Sequence, residues 1–206
     1  MKRILFLLLA VGFFLTDTVA QKIEIGGFYG YNLNTRARTY YGDYTLENAP
    51  NYGGQLSVEM ATDLFVELTY NRSDTEIDYY YLNNPAQPLP MSSEYFLIGG
   101  LRQIPISTAN VLPFGSFNIG ATRFNLKESY SYGELNAGEK WYMSVALAAG
   151  AKILLGDALG IRLQARVGMP MSFNGLWLGT GGSGASFYVP VAQFDFTAGV
   201  FLRLGS

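Results

Sequence analysis

Apolar and polar residues alternate strictly along several segments of this chain. Between Leu159 and Met169 every odd position is apolar, whereas the even positions are Gly, Arg or Gln. Because successive side chains of a β-strand point to opposite faces, this pattern predicts a strand with one apolar face and one polar face. About ten residues of tilted strand cross a bilayer, so such a strand is long enough to span a membrane.

The same period of two recurs in eight segments and fits them better than helical spacing does. The predicted strands comprise residues 22–32, 52–60, 64–71, 93–103, 111–124, 141–155, 159–171 and 189–204. The connections alternate in length: those at 33–51, 72–92, 125–140 and 172–188 are long and polar, and those at 61–63, 104–110 and 156–158 are short. Tight turns on one side and long loops on the other are typical of outer-membrane barrels.

The pattern therefore predicts an all-β fold, an eight-stranded antiparallel up-and-down transmembrane β-barrel with apolar residues outside and charged residues inside. On residues 93–103 the outward set is predicted to be Tyr95, Leu97 and Leu101. A soluble, secreted lipocalin-like barrel that binds an apolar ligand has the opposite polarity. The polar face here consists mainly of Gly, Ser, Thr, Asn and Gln rather than a dense Lys and Glu coat, which favours the membrane barrel.

The first twenty residues have the features of an export signal. Lys2 and Arg3 precede an apolar run, and Thr18-Val19-Ala20 forms a small-residue cleavage site. We expect residues 1–20 to be removed and residues 21–206 to form a single barrel domain in a Gram-negative-type outer membrane. The formal net charge of -2 gives no basic footprint for nucleic acid.

Five acidic and five basic residues are predicted to face the lumen, where unpaired charges would be costly. They are Glu24, Glu59, Glu67, Glu94, Asp195, Arg102, Lys152, Arg162, Arg166 and Arg203. Ring closure is expected to bring Glu24 next to Arg203. A second cluster is expected to join Glu59 and Glu67 with Lys152, Arg162 and Arg166 across the lumen. These charges either plug the barrel or form a gate for small solutes or ions, and the sequence leaves both open.

The chain has no His and no Cys. A Ser-His-Asp triad, a His-based metal site and a thiolate metal site are therefore excluded. We predict a protein without enzymatic activity, without a cofactor and without a bound metal. The long connections are instead rich in Tyr, which either extends an aromatic girdle or forms an adhesive surface. The contact candidates are Tyr40, Tyr41, Tyr44, Tyr79, Tyr80 and Tyr81.

The strand around Pro113-Phe114-Gly115-Ser116-Phe117-Asn118-Ile119-Gly120, together with the signal and the alternation, resembles the small eight-stranded outer-membrane barrels. This is the family of the outer membrane protein A transmembrane domain and the X-type adhesins. The resemblance implies a monomer with a structural or surface-interaction role, with a weak pore as the alternative. It also implies contact with outer-membrane lipid and lipopolysaccharide, and with an extracellular ligand through the loops.

Overall fold

The computed structural model describes residues 22–34, 36–39, 42–80, 87–106, 110–129, 137–179, 182–188 and 192–205. Within these ranges the secondary structure consists of β-strands, and no helix is long and apolar enough to cross a membrane. The strands are β1 (Ile23–Asn34), β2 (Arg36–Thr39), β3 (Gly42–Leu46), β4 (Ala49–Ala61), β5 (Leu64–Tyr80), β6 (Gln87–Gln103), β7 (Val111–Leu126), β8 (Gly138–Leu154), β9 (Leu159–Gly179), β10 (Gly182–Tyr188) and β11 (Gln193–Leu204).

Eight of these strands form a closed antiparallel barrel. Around the ring the order is β5-β4-β1-β11-β9-β8-β7-β6, and pairing of β5 with β6 closes it. The first and last strands are neighbours, with Ile23 opposite Leu204 and Asn32 opposite Asp195. The predicted eight-stranded barrel is thereby confirmed.

Three additional strands lie in segments that the sequence predicts to be loops. β2 and β3 form a hairpin whose second strand pairs with β5, and β10 pairs back onto β9. β5 and β6 also continue to Tyr80 and from Gln87, well beyond the predicted limits at residues 71 and 93. Most residues of these extensions are polar, Pro or Gly, so the alternation that identifies the barrel strands is weak there, although Leu89 and Met91 of β6 are buried.

The barrel has an apolar outer surface and a polar interior. Large side chains such as Tyr29, Phe117 and Phe196 are exposed on the outside. The buried side chains include many Asn, Gln, Ser, Thr and charged residues, among them Asn51, Thr122 and Gln164. A lipocalin-like barrel would show the reverse arrangement, with apolar residues inside.

Strand β6 differs from its predicted orientation. Tyr95, Leu97 and Leu101 are buried in the lumen, whereas Phe96 and Ile98 face outward. Both alternate sets of this strand contain large apolar residues, so alternation alone could not choose between them. Packing decides: Leu101 joins Phe65 and Phe114 in an interior apolar cluster.

The two ends of the barrel are distinct. One end, the short-turn end, carries the tight connections after β4 and β8 and also Ile23 and Leu204. There Asp63 adopts a positive φ of 61°, which lets the chain reverse within two residues. The opposite end, the long-loop end, carries the extended hairpins.

Candidate functional site in the barrel lumen

The lumen at the short-turn end is occupied by a cluster centred on Glu24. Arg203 donates to Glu24 Oε1 from Nη2 at 2.6 Å and from Nε at 3.0 Å. The Lys152 ammonium donates to Glu24 Oε2 from the far wall of the barrel. One carboxylate is therefore shared by two cations, and it ties β8 to the seam between β1 and β11.

Three phenylalanine rings surround the Lys152 ammonium. Its Nζ lies 4.7 Å from the ring centroid of Phe65, 5.7 Å from that of Phe201 and 5.8 Å from that of Phe114. Lys152 is fully buried. Ring faces attract cations, so the rings and Glu24 together replace the water that a buried ammonium loses.

Glu67 and Arg162 form the second ion pair of this layer. Arg162 donates from Nη1 to Glu67 Oε2 and from Nη2 to Glu67 Oε1 at 3.0 Å, a bidentate arrangement. Ser57 and Thr69 also donate to the Glu67 carboxylate, at 3.0 and 3.4 Å. The Arg162 guanidinium lies 4.4 Å above the ring of Phe114, which links this pair to the phenylalanine cluster.

A further set of polar contacts lies closer to the long-loop end. Arg166 donates from Nε and from Nη2 to Asp195 Oδ2, each at 2.7 Å, and its guanidinium lies 5.5 Å from the Tyr95 ring. The Tyr95 hydroxyl reaches Gln193 Oε1 at 2.5 Å. Because Tyr95 belongs to β6 and Gln193 to β11, this hydrogen bond crosses the lumen.

Several buried polar atoms of the same region have no hydrogen-bond partner among the described residues. They are Asn51 Oδ1, Asn71 Oδ1, Ser93 Oγ, Arg166 Nη1, Gln193 Nε2 and Asp195 Oδ1. The set contains both donors and acceptors, which is the composition of a site that water can satisfy. The lumen thus divides into a tightly paired layer at the short-turn end and a less fully paired polar region beyond it.

In the structure the predicted lumen charges form several separate ion pairs rather than the single cross-lumen cluster that was expected. Glu59 does not join the cross-lumen cluster, because its carboxylate lies 3.4 Å from Lys22 Nζ and accepts from the Asp63 backbone N–H at 3.3 Å. Lys152 pairs with Glu24, and Arg166 pairs with Asp195. Glu24 and Arg203 do lie side by side across the seam.

Glu94 and Arg102 do not face the lumen, and their predicted positions are corrected here. Both share the outward face of β6 with Phe96 and Ile98, and Arg102 is exposed near the short-turn end. Glu94 is nevertheless buried, because Arg72 on β5 and Arg123 on β7 cover it from either side. Both residues were assigned to the lumen because the prediction exchanged the inward and outward faces of β6.

Glu94 is the centre of an outer charge row that the sequence did not predict. The row runs across four neighbouring strands on the outside of the barrel and consists of Asp74, Arg72, Glu94, Arg123 and Glu139. Arg72 Nη1 lies 2.9 Å from Glu94 Oε1, and Arg123 Nη2 lies 2.5 Å from Glu94 Oε2.

An aromatic row lies directly below the outer charge row, on the side of the short-turn end. It consists of Tyr70, Phe96 and Trp141, with ring centroids 5.2 Å apart for the first pair and 5.9 Å for the second. The Arg123 guanidinium lies 5.8 Å from the Trp141 ring and connects the two rows.

The predicted tyrosine contacts fall at the edge of the described structure. Tyr40, Tyr41 and Tyr81 lie outside the described residues. Tyr44, Tyr79 and Tyr80 belong to strands β3 and β5, where the register places Tyr44 opposite Tyr79. Their role as a contact surface stays a prediction.

Sequence reasoning missed the aromatic residues of the lumen. Phe65 lies on the same strand face as Glu67, and Phe201 lies on the same face as Arg203. Phe114 shares its face with Leu112, which the register places opposite Lys152. Alternation could therefore have placed all three rings inside. A second signal was glycine on the adjoining strand. A Cβ at Gly150 would meet the ring of Phe114, and a Cβ at Gly160 would meet that of Phe201.

Comparison with known proteins gives structural matches only. No family model matches the chain, and no curated protein matches its sequence. Neisserial surface protein A (NspA) has a TM-score of 0.57 at 10% identity, covering 87% of this chain and 96% of that one. OprG from Pseudomonas aeruginosa has a TM-score of 0.59 at 11% identity, covering 91% and 97%.

A third match is Ail, the attachment invasion locus protein of Yersinia pestis, solved in complex with the heparin analogue sucrose octasulfate. Its TM-score is 0.53 at 12% identity, covering 90% of this chain and all of that one. At these identities the likeness concerns the fold. This chain is thus a closed eight-stranded antiparallel barrel of the kind found among the small outer-membrane β-barrel proteins.

Proposed function

We propose that this protein is a non-enzymatic integral outer-membrane barrel with a structural or surface-interaction role, exported after removal of residues 1–20. The observation that carries the proposal is the packed layer at the short-turn end, where Lys152 is enclosed by Glu24 and three phenylalanine rings. An eight-stranded barrel is just wide enough for side chains to fill its interior. Ion pairs and rings that fill it in this way favour a plug over an open pore.

The length of the hairpins supports a role at the cell surface. β5 and β6 each contain 17 residues. A membrane-spanning strand needs only about 9–11 residues, so several residues of each strand extend beyond the bilayer. Since the turns at the opposite end are short, this projection lies on one side, and it presents polar strands to the surroundings.

A small-solute channel is the second candidate. The polar atoms near the long-loop end that lack partners among the described residues favour it, because water can occupy that part of the lumen. In this case the Glu24–Lys152–Phe layer, with the adjoining Glu67–Arg162 pair, is the main constriction, and transient opening of that layer would let small solutes pass.

Conductance separates the two candidates. The refolded protein, inserted into a planar bilayer, is expected to give no sustained conductance, because ion pairs and phenylalanine rings fill the lumen at the level of Lys152. A trimeric porin added to the same bilayer controls for sensitivity. Steady conductance steps from the unmodified barrel would contradict the plugged structure and establish the channel.

A further inference from the structure

Strands β3, β5 and β6 continue past the ring at the long-loop end and carry an apolar patch on their inner face. This patch, called here the mouth patch, consists of Leu46, Ile77, Leu89 and Met91. The register places Ile77 opposite both Leu46 and Leu89. On the other face of the same strands Glu76 and Pro88 are exposed. This upper sheet is therefore amphipathic, and its apolar face is turned toward the axis of the barrel.

The mouth patch is covered, although the barrel wall does not cover it. Leu89 is 0% exposed, Leu46 4% and Met91 8%. Among the described strands only β3, β5 and β6 reach the level of Leu89, because β4 begins at Ala49 and the pairing of β6 with β7 ends at Leu126. One face of a sheet is buried only when another element packs on it. A second layer of chain therefore lies over the mouth patch.

The hairpin of β9 and β10 leaves the barrel wall at the same end. Pairing of β9 with β11 ends at Gly168, and pairing with β8 ends at Met171. From Ser172 onward β9 pairs with β10 alone among the described strands, and Asn174 has no counterpart there. Such a β-bulge bends a strand. The eight residues from Ser172 to Gly179 span about 26 Å, enough to cross an eight-stranded barrel, whose interior is only wide enough for side chains.

The hairpin is apolar on both faces. The register places Trp177 and Tyr188 on one face, and on the other it places Phe173, Leu176, Leu178, Ala185 and Phe187. A two-stranded hairpin alone is at best marginally stable in water, so this hairpin needs an apolar surface to pack on. Packing of the hairpin on the mouth patch buries both apolar surfaces in a two-layer arrangement.

We propose that the β9–β10 hairpin is a lid that packs on the mouth patch and closes the lumen at the long-loop end. The hinge lies between Gly168 and Met171, where β9 loses its two barrel neighbours in turn. The polar region around Arg166 and Asp195 is then closed by the lid on one side and by the Lys152 layer on the other. This inference goes beyond the proposed role, and it does not depend on whether the lumen conducts.

Disulfide crosslinking tests the contact between the hairpin and the mouth patch. The chain contains no Cys, so an introduced pair is unique. Leu89→Cys is combined with Leu176→Cys or with Trp177→Cys, which lie on opposite faces of the hairpin. Mild oxidation of the refolded protein in detergent micelles is expected to form a disulfide in one of these pairs, because bridged residues need Cα atoms within about 7 Å. The measurement is the loss of thiols that a maleimide labels after unfolding.

Two matched pairs control this experiment. Pro88→Cys lies next to Leu89 on the exposed face of β6, so with the same hairpin partners it is expected to stay reduced. Leu89→Cys with Ser131→Cys tests whether the connection between β7 and β8 is the covering layer instead. That pair is also expected to stay reduced.

Thiol accessibility tests closure of the lumen. Ser93 is 1% exposed and follows the mouth patch on the inner face of β6, so Ser93→Cys places a probe of similar size behind the lid. Replacing residues 173–187 with an Asn-Gly turn removes the lid. A small charged thiol reagent is expected to react about tenfold faster or more with the probe in the shortened chain, because opening of the lid no longer limits access. Thr62→Cys, in the exposed turn at the short-turn end, should react at the same rate in both chains.

The proposal is wrong if neither hairpin position forms a disulfide with Leu89→Cys, whether or not Ser131→Cys does. Equal disulfide yields from Pro88→Cys and Leu89→Cys, or equal reaction rates of Ser93→Cys in both chains, would also overturn it. If the shortened chain does not fold, the crosslinking pairs decide alone, since they retain the whole hairpin. Conductance of the unmodified barrel tests the Lys152 layer, so the lid and the plug fail separately.

Discussion

Glu67 accepts hydrogen bonds from three side chains, and Arg162 is the one that carries a charge. The remaining donors are the hydroxyls of Ser57 and Thr69. A buried carboxylate in this setting compensates the desolvation of Arg162, and Arg162 compensates that of Glu67. Removal of either partner alone therefore leaves an uncompensated charge in the lumen.

Glu67→Gln is expected to lower the free energy of unfolding by about 3 kcal/mol, because it leaves the Arg162 guanidinium buried without its carboxylate. Adding Arg162→Gln should recover part of that loss. The measurement is urea unfolding of the single and double variants in detergent micelles.

Arg166 supplies the control for this double-mutant cycle of Glu67 and Arg162. Its partner is Asp195, so the effects of Glu67→Gln and Arg166→Gln should add. Additive losses for the Glu67 and Arg162 pair would show that these two residues do not form the pair described here.

The sequence identified most of the charged lumen residues but only some of their partners: Glu24 with Arg203 and Glu67 with Arg162, not Lys152 with Glu24 or Arg166 with Asp195. Charges that alternate with an apolar face can be assigned to the interior, which placed Glu67 and Arg162 correctly on the inner surface. Which acid meets which base depends on the stagger of the strands, and that stagger has no local sequence signal. Glu59 illustrates the limit, since it pairs with Lys22 at the rim.

Strand β6 is the strand whose orientation the alternation of apolar and polar residues did not predict correctly. Each of its two faces carries large apolar residues, and packing against the neighbouring strands determines which face lies inside. Gly99 and Gly100 lie next to each other on this strand and face opposite sides. A Cβ at Gly99 would collide with the carbonyl oxygen of Phe117 on β7, whereas one at Gly100 would meet nothing within 4 Å.

Gly99→Ala is expected to destabilise the barrel by about 1–3 kcal/mol, because the added methyl group forces β6 and β7 apart where their backbones approach closely. Gly100→Ala should be neutral or slightly stabilising, since it only restricts the unfolded chain. Thermal and urea unfolding of both variants test the pair. Equal effects would mean that Gly99 does not face the lumen, and the inverted orientation of β6 would be wrong.

Closure of the sheet is the property of the whole molecule that most affects its behaviour. The pairing of β1 with β11 and of β5 with β6 leaves no free edge among the eight barrel strands. A closed barrel offers no exposed strand from which unfolding can begin. The number of strands was predictable because long and short connections alternate, whereas β2, β3 and β10 were not, because at four, five and seven residues they are too short to show a membrane-spanning alternation.

The purified protein should migrate differently on SDS gels before and after boiling. The closed barrel is expected to stay folded in SDS at room temperature and to bind less detergent than the unfolded chain. Gel mobility of paired heated and unheated samples is the measurement, and the boiled sample is the internal reference. Identical mobility would mean that the ring is not stably closed.

The shared carboxylate at the short-turn end has an electrical consequence. In that layer Lys152, Arg162 and Arg203 are neutralised by only two acids, Glu24 and Glu67. Lys22 and Glu59 at the rim cancel each other. One positive charge therefore remains in a region of low dielectric constant, where its field extends further than it would in water. Among the other described residues at this end, Arg102, Asp63 and Asp157 sum to one negative charge, so the mouth as a whole is balanced and the attraction for small anions is confined to the lumen beside the layer.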